Sequence, residues 1–60
     1  MPDQIRMGQI YVDAKPPRRE WRVVKQTEDR FVLQRVDRPG VSRIPAAETL
    51  LDGRRYQRVG

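Results

Sequence analysis

A chain of 60 residues holds a single domain, and a domain of that size buries only about 60% of the surface its unfolded chain exposes, so its stability margin is thin. It contains no cysteine and no histidine, and 13 basic residues against 8 acids leave a net charge of +5. That inventory excludes a disulfide framework, a thiolate or imidazole metal site and nucleophilic catalysis with a histidine base, and it favours polyanions or acidic surfaces as partners.

Residues 8–12 (Gly-Gln-Ile-Tyr-Val) alternate as a half-buried strand does, with Ile10 and Val12 on one face and Gln9 and Tyr11 on the other. Residues 13–20 break the pattern: Pro16-Pro17 removes two donors and holds the chain extended, and with Arg18-Arg19 it predicts a long exposed loop. A second strand is expected over residues 21–27, where Trp21 and Val23 share a face and Val24 takes the other unless a bulge shifts the register. Glu28-Asp29 is a tight polar connection to a third strand, residues 30–36, whose apolar positions alternate with Gln34 and Arg35. In Asp37-Arg38-Pro39-Gly40 proline presets φ and glycine accepts φ above zero, so a fourth strand over residues 41–44 folds back on the third. Pro45-Ala46-Ala47-Glu48-Thr49-Leu50-Leu51 suits about one helical turn, with proline at its start and Asp52-Gly53 at its end. A closing strand over residues 54–59 then meets the first through Tyr56 or Val59. The core expected from this reading is Ile10, Val12, Val23, Phe31, Leu33, Ile44, Leu50 and Leu51, with Trp21 and Tyr56 at its margins.

Strand, long polar loop, three-strand meander, one helical turn and a short closing strand is an order that resembles the SH3-like barrels, including the KOW and Tudor types. The placement of residues 45–51 just ahead of the last strand carries most of that likeness. The chain is also similar to short bacterial and phage proteins of unknown function, through Gly8, Arg18 and Arg19, Arg22 to Val24, Leu51 and Tyr56. The resemblance implies an all-β fold, a five-stranded SH3-like barrel with one short helical turn before the last strand, over one domain spanning 1–60 with its ordered core at about 7–59. Peptide binding of the usual SH3 kind is not expected, because the loop here is basic and itself carries the prolines.

Catalysis lacks its parts: Ser42 is the only serine, Glu28-Asp29 lies in a turn, and no glycine-rich phosphate loop is present, so no enzyme and no cofactor is expected. Two groups of residues suit binding. Arg18, Arg19 and Arg22, with Lys15, surround Trp21, and guanidinium groups that bridge phosphate oxygens beside an aromatic ring are what single-strand binding uses. Trp21, as the lone tryptophan of a small domain, suits the centre of the core better than a stacking role, and Tyr11 is then the exposed aromatic by alternation. The second group is Arg54, Arg55 and Arg58 with Arg35 and Arg43, which form one positive surface if the last strand lies across the meander; Asp37, Glu48 and Asp52 are local partners that can neutralise it. The function expected is a small basic binding module contacting nucleic acid, DNA or RNA, through its arginines. An acidic protein partner or self-association into a homo-oligomer is the alternative. Residues 1–8 lack the apolar stretch of a secretory leader and no apolar run reaches the ~18 residues of a membrane span, so a cytoplasmic protein without membrane contact is expected.

Overall fold

Five short antiparallel strands and one turn of helix make up the computed structural model, which describes residues 5–59. In chain order they are β1 (Ile10–Asp13), β2 (Glu20–Thr27), β3 (Arg30–Arg35), β4 (Ser42–Arg43), α1 (Ala47–Leu50) and β5 (Tyr56–Val59). Their spatial order is β4-β3-β2-β1-β5. The meander and the closing strand beside the first follow the sequence expectation, and both predicted contacts are made, Asp13 opposite Tyr56 and Ile10 opposite Val59. The sheet is not closed into a barrel: β4 and β5 are its two edges. Among the described residues no helix is long and apolar enough to cross a membrane.

Element ends differ from expectation for local reasons. Gly8 sits at φ +87, outside extended geometry, so β1 starts at Ile10. β2 begins at Glu20, which pairs with Val12. The register slips between Val23 and Lys25, the bulge that Val23-Val24 foreshadows. Asp52 accepts backbone N–H groups from Arg55 at 2.9 Å and Tyr56 at 3.0 Å through its carbonyl, and this turn delays β5 to Tyr56.

Two-residue alternation and the ladder registers divide the sheet into an inner and an outer face. Tyr11, Trp21, Val23, Phe31, Leu33 and Tyr56 point inward and pack with Leu50 of α1, and these seven are the buried hydrophobic residues, with Ile5 and Ala47 against them. Val23, Phe31, Leu33 and Leu50 were expected there. Trp21, at 1% exposure, and Tyr56 lie at the centre and not at the margins. The expected sidedness of β1 is reversed, for Tyr11 is 2% exposed while Ile10 and Val12 are half-buried on the outer face. Ile44 and Leu51 are exposed at 55% and 48% and leave the expected core. Leu51 is the C-cap residue of a four-residue helix, about 100° around the axis from the inward Leu50. The inversion of β1 has a physical reason. Tyr11 is worth about 4 to 6 kcal/mol of burial and Ile10 plus Val12 about 3 to 6, so apolar area does not choose between the faces. Polar contacts do: with Tyr11 inward, Asp13 is inward as well, where its carboxylate accepts the Trp21 indole N–H at 3.3 Å.

Candidate anion-binding cleft

The cleft is built where the loop after β1 meets the turn before β5. Ala14 N–H donates to the Arg55 carbonyl at 2.9 Å, pinning loop to turn. The loop is folded on itself by Asp13 N–H to the Arg19 carbonyl at 3.0 Å and Arg19 N–H to the Pro17 carbonyl at 2.9 Å, and its Pro16-Pro17 bond is cis. On the turn, the Asp52 carboxylate accepts the Arg54 N–H at 3.0 Å, which holds Arg54 and Arg55 at the rim.

The third wall comes from β4, across the sheet. Arg43 Nη1 donates to Asp13 Oδ1 at 2.9 Å and to the Tyr56 hydroxyl at 3.2 Å, and its guanidinium carbon lies 4.1 Å from the centre of the Trp21 ring. One side chain thus joins β4 to β1, β2 and β5 and does with a guanidinium what no ladder does. Its pKa is raised: burial works against the charge, but the hydrogen bond and electrostatic attraction to Tyr56, then to Asp13, outweigh it.

Between these walls lies an open cleft of about 760 Å³. Lys15, Arg19, Arg43, Arg54 and Arg55 line it, against two carboxylates, Asp13 and Asp52. Asp13 is committed to Trp21 and Arg43, and Asp52 lies 3.9 Å from the Arg55 guanidinium. Lys15, Arg19 and Arg54 are exposed and form no ion pair among the described residues. Three cations around one concavity, with the Thr49 and Tyr56 side chains in the lining, suit an anion with several oxygens.

The predicted binding residues separate into five groups. Arg19, Arg43, Arg54 and Arg55 come together, drawn from both sequence clusters, and Lys15 joins them. Arg18 lies across the outer face, where it donates to the Gln57 side chain, and Arg22 is exposed on that same face. Arg35 is held in a two-bonded pair with Asp37, at 2.7 and 3.1 Å, and Arg58 borders a separate surface hollow beside Tyr11 and Leu51. Tyr11 and Trp21, expected as stacking platforms, are buried, and the Trp21 face is covered by Arg43. The sequence reading missed Thr49 as part of the lining; only the one-turn helix that carries it could have pointed there.

No family model, curated protein or solved structure matches this chain.

Proposed function

We propose that this chain is a binding module that holds the sugar-phosphate backbone of nucleic acid in the cleft between the loop after β1 and the turn before β5, without reading base sequence. One observation carries the reading: Lys15, Arg19 and Arg54 converge on one concavity with no ion-pair partner among the described residues. Phosphate oxygens meet the guanidinium groups bidentately and the Lys15 ammonium as a point charge, and contacts of this kind position a partner without specifying its sequence. All four aromatic rings are buried, Phe31 at 5% and Tyr56 at 8% alongside Tyr11 and Trp21, so base stacking contributes nothing and gives single strands no preference over duplex. We read the fold as SH3-like, with the Arg43 contacts to Asp13 and Tyr56 in place of a closing ladder. Binding without catalysis and a reducing, cytoplasmic setting rest on the sequence, which has neither histidine nor cysteine.

Anisotropy titration of labelled single-stranded and duplex oligonucleotides across a salt series tests this. With three unpaired cations the expected plot of log K against log salt has a slope of about −2.7 on duplex and about −2 on single strands. Substituting Lys15, Arg19 and Arg54 together by glutamate abolishes binding and leaves the melting temperature near the parent's. Tighter binding of a polyglutamate peptide than of either oligonucleotide replaces this reading with an acidic protein partner.

A further inference from the structure

Resting on that reading of the cleft as a backbone-binding site, we infer that it selects RNA over DNA, by taking a ribose 2′-hydroxyl between the Tyr56 hydroxyl and the Asp13 carboxylate. Tyr56 is 8% exposed, and its hydroxyl lies at the cleft, because Arg43, which lines that cleft, donates to it at 3.2 Å. The phenol oxygen is the acceptor in that bond, so its own proton is left over, and it has no acceptor among the described residues. A donor this nearly buried and still unused points to an acceptor on a ligand. Asp13 supplies the complementary half. Its two oxygens take one N–H each, from Arg43 at 2.9 Å and from Trp21 at 3.3 Å, and a carboxylate has lone pairs for more than two donors. The Tyr56 oxygen and the Asp13 carboxylate share one nitrogen of Arg43, which keeps them close enough for a single small group to meet both.

Charge divides the cleft into two zones. Lys15, Arg19 and Arg54 stand exposed at the rim, without ion pairs among the described residues, and suit phosphates. At the inner wall Arg43 and Asp13 cancel each other, and a phosphate placed beside Tyr56 meets the Asp13 carboxylate as a like charge. A neutral hydroxyl meets no such repulsion. Along a nucleic-acid backbone the neutral group that both gives a proton and receives one is the 2′-hydroxyl of ribose, which DNA lacks. It accepts from Tyr56 and donates to Asp13, while the phosphates on either side of that ribose stay with the rim cations. With DNA in the cleft the Tyr56 proton and the Asp13 lone pairs give up water and gain no partner in exchange, which weakens binding.

Anisotropy titration of the full chain with labelled single-stranded oligouridylate and oligodeoxyuridylate, which share every base and differ only at the 2′ position, is the test. The expected result is RNA bound about tenfold or more tightly than DNA. Tyr56→Phe keeps the ring and loses the hydroxyl; it brings the RNA affinity down to that of DNA and changes the DNA affinity by less than about twofold, whereas a variant that only disturbs the fold weakens both alike. Equal affinity for the two strands, or tighter binding of DNA, overturns the inference and leaves the binding of phosphates standing. Binding of neither strand overturns both. A preference for RNA that survives Tyr56→Phe also overturns it, since the hydroxyl then plays no part.

Discussion

Removing the Arg43 side chain tests whether a guanidinium holds the two sheet edges together. Arg43→Ala deletes the 2.9 Å contact to Asp13, the 3.2 Å contact to the Tyr56 hydroxyl and the stack at 4.1 Å on Trp21. A cation on an aromatic face contributes about 0.5 to 2 kcal/mol, an ion pair about 0 to 1 and a hydrogen bond about 0.5 to 1.5. Because the Arg43 side chain is 45% exposed, the lower half of each range applies, and the loss comes to about 2 kcal/mol. For a domain of this size 1 kcal/mol moves the melting temperature by about 4 to 8 °C, so the variant should melt about 8 to 16 °C below the parent. Thermal unfolding followed by circular dichroism reads that shift, and Trp21 emission moves to longer wavelength as the ring loses its cover. Arg43→Lys keeps the charge but loses the flat stack and the forked donors, and recovers less than half of the loss. A melting temperature within about 3 °C of the parent, with unchanged Trp21 emission, refutes the reasoning.

Leu33→Ala empties a fully buried site and should cost about 2 to 5 kcal/mol in urea titration, whereas Ile44→Ala, at a residue 55% exposed, should stay within about 0.5 kcal/mol of the parent. Glu28 holds φ 47 at the first position of the β2–β3 hairpin turn, so Glu28→Gly should raise stability by about 1 kcal/mol, seen as a higher denaturation midpoint. Gly8→Ala meets no atom within 4 Å but forces a side chain onto φ +87, and should lower that midpoint by about 1 kcal/mol of stability.

Strand order was legible because turn residues and alternation are local. Pro39-Gly40, Asp52-Gly53 and the period of two over residues 8–12 each report on their own neighbourhood. The face of β1 was not legible, since both alternating sets contain a large apolar group and the deciding contacts come from elsewhere: Trp21 eight residues on and Arg43 thirty residues on, both meeting Asp13. Basic residues were legible as candidates, but their sorting was not. Arg35 is taken up by Asp37 two positions away, Arg18 turns to Gln57, and Arg19 shares the cleft with Arg54 and Arg55, where Ala14 after β1 is bonded to Arg55 before the neighbouring β5. The hairpin turn hid its strain, because glutamate stands at a left-handed position that usually advertises itself as glycine or asparagine.

The pairing of β1 with β5, with Ile10 opposite Val59, sets a timetable for the molecule. The β2–β3 hairpin closes over two residues, and bringing the first and last strands together costs about 3 kcal/mol more of chain entropy than closing that hairpin. The cleft is made where these most distant parts of the chain join, so a ligand seated there should slow unfolding and leave the folding rate unchanged, which stopped-flow folding and unfolding rates with and without ligand check.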